Sequence, residues 1–219
     1  MLIKQTRVSR RGRKPSAPSL KLRRSPLQAR SAETMAVILE ASTQILETRG
    51  LAAFNTNAVA ERAGVSVGSL YQYFPGKEAI LAALHRRYEE RLLHAVTSSL
   101  TATQGKELSA RIPALVNALI DAHMFSPALH RILESEESRI SAEGEAVNSI
   151  GSAVHKSVVR MLGEHKVRIP GVSIPEAAED LSRIARALID AALANDTGVV
   201  TTRHRRRIAR ALLAYLRAD

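Results

Sequence analysis

Hydroxyl, amide and aromatic side chains able to hold a nucleic acid crowd into one short stretch, "GVSVGSLYQYFPGKEAI", Gly64 to Ile80. The chain has no Trp, three Phe and four Tyr. Tyr71, Tyr73 and Phe74 nevertheless fall within four consecutive residues. A core role explains Phe74, but two tyrosines flanking Gln72 make a poor apolar face. Tyr71 and Tyr73 are expected to lay flat rings along a sugar-phosphate wall and to reach phosphate oxygens with their hydroxyls. Val67, Gly68 and Ser69 are small and would let backbone approach a groove floor. Leu70 and Phe74 should face inward, and Lys77 adds a phosphate-directed charge.

Two other groups of residues could do chemistry. "ALIDAHMFSPALHRILESEES", Ala118 to Ser138, brings together His123, Met124, Phe125 and His130. Polar groups mixed with adaptable apolar ones suit a cavity for an apolar ligand with a few polar contacts. A metal reading would take His123, His130 and Glu134. Ser126-Pro127 interrupts the helix between the two histidines, so neither metal nor other cofactor is expected. The second group is the N-terminus: residues 1–30 hold ten of the 32 Lys and Arg and no acid, leaving 22 basic against 21 acidic residues for the rest. This Pro- and Ser-rich block should be a disordered basic arm that prefers a polyanion.

Composition narrows the remaining options. With 219 residues and 45% hydrophobic content the chain can build a real core. It has no cysteine, which removes disulfides, thiolate metal sites and thiol nucleophiles. There is no Gly-rich phosphate loop, activated nucleophile or convincing carboxylate pair, so no enzyme is expected. No apolar run approaches a membrane span and no signal segment opens the chain. A cytoplasmic protein without membrane contact is expected.

The positioning elements read as helices throughout, which predicts an all-α fold. Ser31 can cap a helix to Arg49, stopped by Gly50. A short helix at 56–63, the Gly64-Val65-Ser66 turn and a second short helix to Phe74 follow. Pro75-Gly76 breaks the pattern before a long helix carrying Ile80, Leu81, Leu84, Tyr88 and Leu92 at helical spacing. Further helices are expected after Gly105, after Ser126-Pro127, over 141–163, from the Ser173-Glu176 capping box, and over 202–217. Three helices, the last two joined by a tight Gly-containing turn, describe a helix-turn-helix, whose second helix offers its N-terminal residues to base edges.

"FNTNAVAERAGVSVGSLYQYFPGKEAILAAL", Phe54 to Leu84, resembles the helix-turn-helix of the tetracycline-repressor (TetR) family of bacterial transcriptional regulators. The likeness rests on the Ala-Gly-Val-Ser turn, the Gly-Ser-Leu-Tyr helix, the Tyr-Phe-Pro end and the Lys-Glu that follows. It implies phosphate contacts by Thr56, Ser69, Gln72, Tyr73 and Lys77, and base-edge contacts by Asn57, Val67, Gly68 and Tyr71. Where the family often opens this helix with two hydroxyl residues, this chain has Asn55-Thr56, and Asn caps at least as well. The implied organisation is an arm over 1–30, a DNA-binding domain over 31–78 with a linking helix over 77–100, and an effector-binding and dimerisation domain over 79–219. The implied function is a repressor that binds a palindromic operator in double-stranded DNA as a homodimer and leaves it on binding a small-molecule effector. The last two helices, rich in Ala and Leu, are the expected dimer surface, with Leu188 and Leu212 in it. "RRGRKP", Arg10 to Pro15, resembles an AT-hook. That likeness makes Arg11, Gly12 and Arg13 candidates for a narrow minor groove. The alternative is an architectural DNA-binding protein that uses the arm and has no effector.

Overall fold

The computed structural model describes residues 29–124, 126–141, 145–194 and 199–217; side chains at 29, 30, 134 and 137–149 are excepted. The element order is α1 (Ala29–Arg49), a single 3-10 turn (Leu51–Ala53), α2 (Thr56–Ala63), α3 (Val67–Tyr73), α4 (Lys77–Ala102), α5 (Leu108–Met124), α6 (Pro127–Ser141), α7 (Glu145–Glu164), α8 (Ile174–Leu193) and α9 (Thr202–Tyr215). Among the described residues no strand forms beyond one isolated bridge, Ile169 with Val172. The fold is all-α, as the periodicity predicts.

Local chemistry sets most helix ends. The Asn55 side chain accepts from the Ala58 amide at 2.9 Å, and Ser66 Oγ accepts from the Ser69 amide at 3.0 Å. Each satisfies a donor that a helix N-terminus leaves without an intrahelical partner. Between these caps Gly64 has φ 66° and ψ 29°, the left-handed conformation that a residue without Cβ adopts cheaply. Ser173 and Glu176 close a reciprocal capping box at α8, and Thr201 with His204 does the same at α9. The Arg run opening α9 is partly compensated: Arg205 pairs with Asp121 of α5 at 2.5 Å and also donates to the Asn117 carbonyl at 3.2 Å.

Two buried clusters organise the packing. The first joins Ile38, Ile45 and Leu46 of α1, Phe54, Val59 of α2, Leu70 and Phe74 around α3, and Ile80 and Leu84 of α4. Leu129 and Leu133 of α6 belong to it too. The second takes Val96 and Leu100 of α4 and the apolar faces of α5, α7, α8 and α9. Helix α4 therefore runs through both, whereas α6 packs into the first alone. The first cluster reaches Leu84 and draws on α6, well past residue 78 where the helix-turn-helix itself is expected to end. Fully burying one such Leu or Phe side chain contributes about 1.5–3 kcal/mol, so α6 is energetically tied to the helix-turn-helix. A hydrogen bond from Ser126 Oγ to the Glu47 carboxylate reinforces the tie between α6 and α1.

Candidate nucleic-acid interface and effector cavity

The two short helices separate their residues cleanly into an inner and an outer set. Val59, Ala60, Leu70 and Phe74 are all 0–1% exposed. The sequence expectation for Leu70 and Phe74 holds. On the outer side Asn57, Gly68, Gln72 and Lys77 are exposed, Thr56 and Ser69 are half-buried, and Val67 and Tyr71 are each 38% exposed. Of the large apolar side chains described, only Val37, Val67, Tyr71 and Val199 stand out this far, and two of the four lie on α3. A seven-residue helix exposing Val and Tyr gains nothing in water. Both side chains suit contact with thymine methyl groups and sugar faces.

One expectation is corrected. The Tyr73 ring is 8% exposed and packs in the first cluster, so it cannot lie along a groove wall. The reason is spacing: Leu70, Tyr73 and Phe74 fall at i, i+3 and i+4, which is one side of a helix. The outer ring is Tyr71 alone. Its hydroxyl is 3.2 Å from the Thr56 hydroxyl, a link from α3 to the start of α2 that the sequence reading did not anticipate. Helix α2 is further held to α1 by Arg62 Nε, which donates to Gln44 Oε1 at 2.8 Å. The arm candidates Arg11, Gly12 and Arg13 lie outside the described residues.

The second site is a cavity of about 610 Å³ lined by residues of α4, α5, α6, α7, α8 and α9. Its walls are mainly aliphatic, among them Leu92, Val96, Leu115, Val158, Leu181 and Ile189. Its polar end holds Tyr88, His123 and His130 with Arg186 nearby. Of the expected pocket residues, His123 and His130 line the cavity. Met124 does not line the cavity; one residue on from His123, it turns about 100° around α5 and packs half-buried against the second cluster. Phe125 lies outside the described residues, as does the Glu134 side chain.

The polar end is a connected network. The Asp190 carboxylate can only accept, so His130 Nε2 donates to it, at 3.1 Å. His130 Nδ1 then accepts from the Tyr88 hydroxyl at 2.7 Å. His123 Nδ1 donates to the Leu119 carbonyl at 2.7 Å. The two imidazoles pack edge to face with centroids 4.7 Å apart. Burial pushes the His123 pKa down to about 4, against the raising effect of the Leu119 hydrogen bond and of Asp190, with His130 and Arg186 adding to the lowering. His123 is therefore a neutral imidazole at physiological pH. Ser126-Pro127 interrupts the helix between the two histidines, as expected, yet they still meet. That break turns α6 by 88° relative to α5 and folds one ring onto the other. A legible but unused signal was the α4 stripe His85, Tyr88, Glu89, Leu92, Val96, polar at one end and aliphatic at the other.

The dimer expectation changes in detail. Leu212 is 2% exposed, and Ile208, Ala209 and Leu216 are likewise buried in the chain's own second cluster. Leu188 is half-buried, as are Ile184 and Leu213, while Ala187 and Ala191 are exposed. Partly exposed apolar residues thus remain on both helices, Ile184, Ala187, Leu188 and Ala191 on α8 and Leu213 and Ala214 on α9.

Comparison with known proteins gives this geometry its family. Residues 38–84 match the family described as bacterial regulatory proteins, tetR family, and residues 107–216 match the tetracyclin repressor-like C-terminal domain. The chain belongs to the TetR family of bacterial regulators. It is 31% identical over 170 residues, 76% of each chain, to the HTH-type transcriptional repressor KstR of Mycolicibacterium smegmatis. It is 28% identical over 141 residues, 63% of this chain and 70% of the other, to the nucleoid occlusion factor SlmA of Vibrio campbellii. Among solved structures, the fatty acid degradation regulator FadR from Bacillus halodurans superposes with a TM-score of 0.70 at 17% identity, covering 85% of this chain and 97% of that one. That likeness shows a shared TetR fold. No single helix among the described residues is long and apolar enough to cross a membrane.

Proposed function

We propose that this TetR-family protein is a transcriptional repressor that binds a palindromic operator as a homodimer and leaves it when a small, mostly apolar effector fills the cavity. The observation that carries the reading is the outward set on α2 and α3: Asn57, Val67 and Gly68 are accessible in the first turns of two helices that Asn55 and Ser66 cap, and Tyr71 is accessible one turn further along α3. Asn57 reads a base edge through its amide, Val67 and Tyr71 make apolar contacts, and Gly68 allows close approach. Thr56, Ser69, Gln72, Lys77 and the hydroxyl of Tyr73 hold phosphates. Residues 31–78 form the DNA-binding domain and residues 79–219 the effector and dimerisation domain, with α4 running through both cores and α6 packed into the first. The protein acts in the cytoplasm and is not an enzyme.

The dimer forms across the outer face of α8, where Ala187 and Ala191 allow close approach and Ile184 and Leu188 supply apolar area. The effector lies with its apolar body against Leu92, Val96 and Leu115 and its polar group at His123 and Tyr88. An architectural DNA-binding protein has no use for such a cavity. The deciding test is selection of bound sequences from random DNA, followed by anisotropy titration of the selected site with a panel of apolar small molecules. The expected result is an inverted repeat from which one class of molecule releases the protein. Binding with no sequence motif, or a motif without two-fold symmetry, would overturn the reading.

A further inference from the structure

We propose that His123, His130 and Asp190 form a binding site for one divalent transition-metal ion of the borderline class, such as Zn²⁺ or Co²⁺. The three residues come from three helices, α5, α6 and α8, and one ligand atom from each falls within 4.8 Å of the others. Two imidazole nitrogens and one carboxylate oxygen match the donor preference of these ions. Chance clusters of this kind are usually exposed, yet His123 and His130 are 7% and 3% exposed, beside aliphatic cavity-lining residues such as Leu119, Leu133 and Ile189.

The neighbouring hydrogen bonds fit the same assignment. A ligating histidine normally engages its second ring nitrogen with an outer partner that fixes the ring and its tautomer. Here the Leu119 carbonyl takes the His123 Nδ1 proton, which leaves the lone pair on Nε2. Tyr88 stands against His130 Nδ1 at 2.7 Å. Binding would move the His130 proton from Nε2 to Nδ1, with the Tyr88 oxygen now accepting it, so no proton is gained or lost. Metal–nitrogen bonds of about 2.0–2.1 Å place tetrahedral ligand atoms about 3.3 Å apart. His130 Nε2 and Asp190 Oδ1 are already 3.1 Å apart, so only the His123 ring has to close in. The carboxylate of Asp190 offsets the nearby charge of Arg186. With three protein ligands, the fourth position opens toward the cavity that both histidines line. This inference shares His123 with the proposed effector site, and its test reads metal binding alone, without DNA or effector.

Full-length protein stripped with a chelator and titrated with Co²⁺ provides the test, read by ligand-field absorption of the tetrahedral ion. About one equivalent per chain should bind with visible absorption. His123→Gln and Asp190→Asn should each weaken binding at least tenfold, while His94→Ala, at an exposed position, should leave it unchanged. Circular dichroism shows whether each variant is folded. Imidazole ¹⁵N resonances of the unmutated protein give a readout that needs no variant: Zn²⁺ should shift His123 and His130 and leave His94 in place. Absorption that persists in both ligand variants, shifts confined to other histidines, or no saturable binding at all would overturn the site.

Discussion

Gly68 has no side chain, and the fold does not require that absence. A Cβ built there would meet nothing closer than Ser66 Oγ at 3.9 Å, and the residue lies in regular helix. Ala in such a position is favoured over Gly by about 0.5–1 kcal/mol. Gly68→Ala should therefore raise the midpoint of urea unfolding while weakening operator binding at least tenfold, about 1.4 kcal/mol, because the new methyl group occupies the closest approach to the groove. Equal operator affinity would show that this turn of α3 does not touch the DNA. Asn57→Ala should act differently, altering which sequences are selected, since a bidentate base contact carries about 1–3 kcal/mol of discrimination. A residue-scale prediction also follows from His123. Its folded pKa, about 4, lies below its ordinary 6.5, so the unfolded chain binds the proton first. The stability it contributes is complete above pH 6.5 and is lost as pH falls toward 4, amounting to roughly 3 kcal/mol. Denaturant unfolding at pH 7 and pH 4 should show a difference larger in the parent than in His123→Gln. Identical pH dependence in the two would mean that His123 is not held neutral by burial.

At the scale of elements, what could be read in advance was what is decided locally. The caps at Asn55, Ser66 and Ser173 form as their residue types require, because a capping side chain reaches only three residues ahead. Helical periodicity gave the inward faces of α1 and α4 for the same reason. The Tyr73 ring, the exclusion of Met124 from the cavity, and the Asp190 partner of His130, 60 residues away, depend on which helices meet. No single-helix pattern contains that. Helix α9 illustrates the difficulty: its apolar residues are visible in the sequence, but only packing reveals that Leu212 serves its own chain. The dimer prediction accordingly moves to α8. Ala187→Glu together with Leu188→Glu would place charge on its outer face, at a cost well above an ordinary surface substitution. Sedimentation at micromolar concentration should find the double variant monomeric and the parent dimeric. A dimeric variant would remove α8 from the interface. Arg206→Glu on the exposed side of α9 should have no effect.

The charge of the whole molecule is lopsided, with ten of its 32 basic residues and none of its acids in residues 1–30. Under the proposed function α2 and α3 supply the base-facing residues, whereas residues 1–30 supply charge. Phosphate neutralisation releases counterions, and each neutralised phosphate adds about −0.9 to the slope of log affinity against log salt. Ten charges on one short segment cannot all find phosphates at once, so about three to six should be engaged. Deleting residues 2–30 should then flatten the slope by roughly 3–5 units and weaken binding most at low salt. The operator motif should survive, because the proposed base contacts lie beyond residue 55. If Arg11, Gly12 and Arg13 enter a narrow minor groove, the deletion should also erase a preference for A·T-rich flanks. Fluorescence anisotropy on one operator with A·T or G·C flanks, over a salt series, separates these outcomes. An unchanged slope would leave the segment without a part in binding. Loss of the operator motif would instead move sequence reading out of α3 and into the N-terminal segment.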